Sequence, residues 1–215
     1  TNAAVAGLSV AYAQTDKAKG YRGIACFAIE AERPGFHREK PFELHGGHAI
    51  GVGGFRLVDY FAPDEAVLHP PGQAFKAALA GINGARAYVA AMCCGMLQAS
   101  LETAVRYTQQ RKTFGRPVLE HQGVRWKLVD AATDLEAARL LTYRAARLID
   151  EGADAVLPAA YAKKFATDMA VQRIADCIQA MGANGLRADY PLARHLAGAK
   201  IAAYTDGSIE MMNER

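Results

Sequence analysis

The sequence predicts a mostly α protein with a β segment: an antiparallel β fragment followed by an up-and-down four-helix bundle. Three observations carry this. Up to about residue 69, apolar residues fall in short runs rich in β-branched and aromatic side chains, separated by turn residues. From Pro70-Pro71-Gly72 onward they recur every three or four residues instead, the period of a helix face. The helical stretches are joined by short connections, which favour antiparallel neighbours. The expected division is therefore residues 1–69 and residues 70–215.

In the first part the strand-like runs are Leu8-Ser9-Val10-Ala11-Tyr12, Gly23-Ile24-Ala25-Cys26-Phe27-Ala28-Ile29 and Gly54-Phe55-Arg56-Leu57-Val58. Asp16-Lys17-Ala18-Lys19-Gly20 and Glu32-Arg33-Pro34-Gly35 separate them with ordinary turn chemistry. Gly51-Val52-Gly53-Gly54 makes a poor phosphate loop, because a strand-like alternation follows it rather than a helix. In the second part, the first helix has a stripe of Phe75, Leu79, Ile82, Ala85, Val89, Met92, Met96 and Ala99 and runs to about Arg111. Val124, Leu128, Ala131, Leu135, Ala138, Leu141, Ala145 and Leu148 mark a second, ending near Glu151-Gly152. Tyr161, Phe165, Met169, Ile174, Ile178 and Met181 mark a third, ended by Gly182, and a shorter fourth occupies Pro191 to Tyr204.

Composition narrows the function classes. Of 215 residues, 51% are hydrophobic and 22% charged, enough apolar material for a globular core and too much for intrinsic disorder. A formal charge of +3 with both signs interspersed gives no continuous basic face for nucleic acid. Charged or amide residues are expected to break each apolar stretch before the ~18 residues of a spanning helix. The four cysteines show no C-x-x-C and no disulfide-like density, which favours a reducing compartment. His45-Gly46-Gly47-His48 lacks a third ligand at metal spacing, so no metal is expected. The chain starts Thr1-Asn2-Ala3, with no Met and no charged or apolar leader, and reads as beginning within a domain.

Candidate chemistry lies where the stripes are interrupted. Arg111-Lys112-Thr113-Phe114-Gly115 stands at the end of the first long helix, where a guanidinium beside a glycine turn can meet a phosphate bidentately or simply complement the helix dipole. Gln122 opens the second helix. Gln179-Ala180-Met181-Gly182-Ala183-Asn184-Gly185 closes the third with small residues that let a planar or phosphorylated ligand approach the backbone. Tyr204-Thr205-Asp206-Gly207-Ser208-Ile209-Glu210 places a carboxylate in a turn, either as a reactive acid or as a cap of the next helix, with Glu210 as a solvated helix residue.

The ordered set Arg111-x-x-Phe114-Gly115, Gln122, Leu140-Leu141-Thr142-Tyr143-Arg144-Ala145-Ala146, Gln179-x-x-Gly182-x-x-Gly185, Tyr190-Pro191-x-x-Arg194 and Ala199-Lys200-Ile201 resembles the C-terminal region of the acyl-CoA dehydrogenases. Thr1-Asn2-Ala3 resembles the start of a strand in that family's middle domain and Asp59-x-x-x-Pro63 its junction with the bundle, so the resemblance covers essentially the whole chain. It implies the latter part of a middle β-domain over residues 1–69 and a C-terminal helical bundle, used for FAD binding and oligomerisation, over residues 70–215. The chain would then be part of a longer enzyme and not active alone. The implied cofactor is FAD. The implied partners are an acyl-CoA substrate, further copies of the chain in a dimer or tetramer, and an electron-transfer flavoprotein. The implied compartment is the bacterial cytoplasm or the mitochondrial matrix.

Residue by residue, the resemblance implies that Arg111 reaches the FAD pyrophosphate of a neighbouring subunit, with Phe114 packed beside it and Gln122 a nearby FAD contact. Gln179, Met181, Gly182 and Ala183 fall in the segment contacting the adenosine side, and Thr1, Ser208 and Glu210 are further cofactor contacts. Asn83 and Arg86 sit where the family commonly has an Asp-x-x-Arg pair on the CoA moiety, and Gly207 is a further substrate contact. Family chemistry removes an α-proton from an acyl-CoA thioester by a carboxylate and passes hydride from the β-carbon to flavin N5. Asp206 aligns with the family's usual glutamate base, one methylene shorter. The alternative base position of some relatives is Ala85 here. Other departures are Ala197-Gly198 for an Arg-Asp, Gly182-Ala183 for Gly-Gly, and His45-Gly46-Gly47-His48 for a Leu-Gly-Trp-Arg strand. Two other functions stay open: a flavin-dependent monooxygenase on the same scaffold, and a non-catalytic oligomerisation subunit.

Overall fold

A computed structural model describes residues 2–47 and 51–214. The chain divides into two compact units, Thr1–Gly81 and Ile82–Arg215.

The first unit is built on β1 (Leu8–Gln14) and β2 (Ile24–Glu30), an antiparallel pair running in register from Leu8 opposite Glu30 to Gln14 opposite Ile24. Asp16, expected in a plain turn, instead starts a 3-10 segment, Lys17–Gly23, its carboxylate accepting from the Ala18 amide at 3.0 Å. β3 (Phe36–Arg38) pairs with β4 (Phe55–Leu57), with the Phe36 and Phe55 rings stacked at 4.8 Å. β5 (Val67–His69) adds to the free edge of β2. β3 and β5 are three residues long, too short for an alternation to show in sequence.

The helices are α1 (Ala74–Gln110), α2 (Gln122–Asp150), α3 (Val156–Met181) and α4 (Leu192–Ala202), with a one-turn α5 (Ile209–Asn213) after them. Between α1 and α2 the chain forms a small hairpin, β6 (Lys112–Thr113) and β7 (Arg116–Pro117). Its loop is Phe114-Gly115, both at positive φ (50° and 81°), the backbone twist that a two-residue hairpin requires.

The α2 stripe faces the core as its period predicts, with Leu128, Ala131, Leu135, Ala138 and Ala145 all buried. On α1 and α3 the expected stripes are buried in part: Val89, Met169, Ile174 and Met181 lie in the core, and smaller residues beside them share it. The large residues Phe75, Met92 and Tyr161 are exposed, while α1 buries Arg86, Ala90, Cys93, Leu97, Ser100, Ala104 and Thr108. α3 buries Ala159, Lys163, Ala166, Thr167 and Ala170. Alanine, cysteine, serine and threonine make up much of the buried face, alongside the large side chains of Leu97, Met169 and Ile174. The hydroxyls of Ser100, Thr108 and Thr167 are satisfied by carbonyls one turn back, at 2.8 Å each.

Polar bonds tie the helices together at defined points. Arg173 on α3 reaches Asp134 on α2 at 2.6 Å and Asp176 at 3.1 Å, and Lys127 closes on Asp176 at 2.9 Å. The Ser100 hydroxyl lies 3.1 Å from His195 Nδ1, joining α1 to α4. Contrary to expectation, α1 contains an 18-residue window apolar enough to cross a membrane by length and composition. Its apolar residues continue into the buried core of the bundle through Ala90, Cys93 and Leu97, all at 0% exposure.

Candidate active site

The sequence-predicted residues of the helical unit fall into two groups. One surrounds the turn between α4 and α5. Asp206 is half-buried there, in the left-handed region at φ 55°, followed by Gly207 at φ 100°. Asp tolerates that region better than most side chains, and glycine enters it without steric cost. A Cβ at Gly207 would stand 3.1 Å from the Met212 methyl and 3.8 Å from Arg86 Nη2, so the turn is closely packed as well as left-handed. The N-cap of α5 is Ser208, not Asp206, which removes the capping role for the aspartate. The neighbouring Ser208 hydroxyl holds the Glu210 carboxyl below its usual range, and Glu210 is exposed in the first turn of α5.

Arg86 enters this group from α1. It is buried at 4% exposure, and its Nε donates to the main-chain carbonyl of Asp206 at 3.4 Å. Nη1 donates to Asn83 Oδ1, also at 3.4 Å, so the Asn83-x-x-Arg86 pair is one connected unit one helical turn long.

Lys163 on α3 completes the group, and sequence reasoning missed it. It is fully buried, and its ammonium donates to the carbonyls of Ala203, at 3.2 Å, and Gly207. Burial pushes its pKa down; the Asp206 charge opposes that shift, the Arg86 charge adds to it, and Cys93 opposes it. A signal was present in Ala159-x-x-x-Lys163-x-x-Ala166-x-x-x-Ala170, a helical stripe of small residues that sets one lysine on a close-packed face.

The second group lies at the far end of α1. Arg111 directly follows the helix and is exposed, its amide bonded to the Tyr107 carbonyl at 2.9 Å. Phe114 at the hairpin tip is 97% exposed and touches the His121 ring edge-on. Because the Arg116 guanidinium can only donate, His121 Nδ1 accepts its hydrogen bond at 3.2 Å, leaving the Nε2 hydrogen for Thr113 Oγ1 at 3.1 Å. Gln122 starts α2, exposed. At the end of α3, Gln179, Gly182 and Ala183 are exposed, Met181 is buried in the core, and Gly182 takes φ 64°. Asn184 Nδ2 bonds the Tyr107 hydroxyl at 2.7 Å, which brings the 182–186 segment beside the end of α1. Arg86 and Tyr107 are about 30 Å apart along α1, so the two groups are distinct places on one chain. Thr1 and His48 lie outside the described residues.

The arrangement offers a carboxylate on a left-handed turn backed by two buried cations in one place, and an exposed arginine, aromatic ring and glycine-rich backbone in the other. Residues 72–215 match the acyl-CoA dehydrogenase C-terminal domain, and the chain belongs to the acyl-CoA dehydrogenase family. Among curated relatives, a short-chain-specific acyl-CoA dehydrogenase of Megasphaera elsdenii is 36% identical over 211 residues, covering 98% of this chain and 55% of the relative. Among solved structures, butyryl-CoA dehydrogenase from Megasphaera elsdenii superposes with a TM-score of 0.96 at 36% identity, over 99% of this chain and 56% of that one. A structure of PigA with FAD and proline superposes with a TM-score of 0.95 at 27% identity, over 99% and 56%. The chain thus spans about half the length of the relatives it matches.

Proposed function

We propose that this chain carries the proton-abstracting residue and the cofactor-facing helical region of a FAD-dependent acyl-CoA dehydrogenase, with Asp206 as the base. The observation that carries the reading is the contact between Arg86 and the main-chain oxygen of Asp206. It joins a cation suited to the CoA moiety to the turn that bears the carboxylate.

In this reading residues 1–69 are the latter part of the middle β-domain and residues 70–215 the helical domain, and the activity belongs to the longer polypeptide. Asp206 takes the α-proton of the thioester. Its carboxylate is half-buried, so fewer solvent contacts compete for it, and the left-handed turn limits the positions it can reach. The Asn83–Arg86 pair orients the CoA part. FAD, when bound, supplies the acceptor for the hydride that leaves the β-carbon. The donor chemistry of the second group fits it: an exposed guanidinium beside a positive-φ hairpin for a pyrophosphate, and open backbone at Gly182 and Ala183 for a planar ring. A separation of about 30 Å along α1 exceeds what the ribityl linker between flavin and pyrophosphate can span. The Asp206 and Arg111 groups therefore serve different cofactor molecules, as in an assembly of two or more copies. The compartment is the cytoplasm or mitochondrial matrix, with an electron-transfer flavoprotein as acceptor.

The test is anaerobic bleaching of bound flavin by acyl-CoA thioesters. Bleaching in the wild type, with none in Asp206→Asn at unchanged FAD content, supports the assignment. Undiminished bleaching in Asp206→Asn removes Asp206 as the base.

A further inference from the structure

We propose that Lys163 is a positioning residue for the base: its buried ammonium holds the Ala203–Gly207 turn in the one conformation that aims the Asp206 carboxylate at the α-carbon of an acyl thioester. This rests on the reading of Asp206 as that base.

Asp206 at φ 55° and Gly207 at φ 100° are consecutive left-handed residues, a conformation sparsely populated by residues other than glycine. Ala203 is also the C-cap of α4, so its carbonyl is among those the helix leaves without an intrahelical partner. Lys163 Nζ donates to that oxygen and to the Gly207 oxygen, beyond the helix and on the far side of Asp206. Arg86 Nε takes the oxygen between them, that of Asp206 itself. Three main-chain oxygens around the base are thus held by two buried cations, one from α1 and one from α3.

Stability of the bundle does not call for a lysine here. A buried ammonium is costly to desolvate, and a well-packed apolar side chain of similar volume in its place is commonly neutral or better. The stripe around Lys163 is alanine and threonine, and the charged or titratable groups acting on it are Asp206 from the turn and Arg86 and Cys93 from α1. Helix capping alone would need only the Ala203 oxygen. The second bond, to Gly207, secures the segment that carries the carboxylate.

The experiment uses the whole encoded protein and a thioester with no hydrogen on its β-carbon, so that proton transfer is read without oxidation. Exchange of its α-hydrogens into D2O is followed by NMR for wild type, Lys163→Met and Lys163→Gln, together with thioester affinity and FAD content. The expected result for Lys163→Met is exchange slowed about 100-fold, the scale of an ångström-sized misplacement, with affinity and FAD content changed less than about 3-fold. Lys163→Gln, which keeps amide donors without charge, should recover part of the loss. Exchange at the wild-type rate in Lys163→Met overturns the proposal. Loss of FAD or of native circular dichroism in both variants also overturns it, because Lys163 would then serve the bundle as a whole. The parent reading fails separately: exchange in Asp206→Asn at the wild-type rate removes the base, whereas its loss there alongside full exchange in Lys163→Met removes only the role of the lysine.

Discussion

Arg86 Nε donates to the main-chain oxygen of Asp206 at 3.4 Å across 120 residues of sequence, so α1 directly touches the backbone of the turn that bears the candidate base. Through that carbonyl the guanidinium anchors the backbone of the turn.

That anchoring makes the length of the side chain at 206 matter. Asp206→Glu keeps a carboxylate but moves it by on the order of 1 Å, and glutamate tolerates positive φ less well than aspartate. Flavin bleaching by acyl-CoA should be slowed in Asp206→Glu by up to about 100-fold yet stay measurable, in contrast to Asp206→Asn. Equal rates for the two variants would mean that the carboxylate is not the reacting group.

Gly207 is the position where a small change should be costly. Alanine there would combine φ 100° with a Cβ 3.1 Å from the Met212 methyl. Gly207→Ala should lose about 1–2 kcal/mol in chemical denaturation and slow α-proton exchange along with it. A variant as stable and as active as wild type would show that the left-handed turn is not required.

Arg111 should behave in the opposite way. It is exposed after the last turn of α1, so Arg111→Ala should leave the unfolding midpoint within about 0.5 kcal/mol of wild type. FAD affinity in the assembled protein should fall about 10- to 100-fold, the worth of a charged hydrogen bond. An unchanged FAD dissociation constant, measured by fluorescence titration, would detach this arginine from the cofactor.

Cys93 and Cys177 make the stability of the protein sensitive to alkali. Burial raises both thiols from 9.0 to about 12, with Cys94 adding to the shift at Cys93 and Asp176 at Cys177. Above pH 9.0 the unfolded thiols ionise while the folded ones stay protonated, so unfolding releases protons and stability falls as pH rises through that window toward about 12. Lys163 works in the reverse sense: its folded pKa is lowered from 10.5, so its contribution grows with pH up to that value. Urea unfolding across this range should therefore show a less negative pH slope in the Cys93→Ala, Cys177→Ala double variant than in the wild type, with Lys163 common to both. Identical slopes would show that these thiols ionise alike in both states.

Legibility of the fold followed the strength of local pattern. The α2 stripe from Leu128 to Ala145 was readable because one apolar face repeats at helical spacing and packs as a core face. Gly182 at φ 64° ends α3 as its residue type suggests. On α1 and α3 hydrophobicity at helical spacing selects Val89, Met169, Ile174 and Met181, which are buried, but also Phe75, Met92 and Tyr161, which are exposed. The small residues Ala90, Cys93, Ala159 and Ala166, which an apolar stripe passes over, share the core with them. Lys163 escaped notice for the same reason, lying on the small-residue face rather than the apolar one.

By itself the sequence determined the order of the elements, the change of period near Pro70, and the motifs that mark the family, because each depends on residues close together in the chain. Only the tertiary structure decided what surrounds Asp206. Lys163 bonds Gly207 across 44 residues and Arg86 bonds Asp206 across 120, and such contacts exist only once α1 and α3 are packed against the α4–α5 turn. A carboxylate in a glycine turn is common in sequence; two buried cations on the carbonyls that flank it arise from packing, where each buried charge must find partners or destabilise the fold.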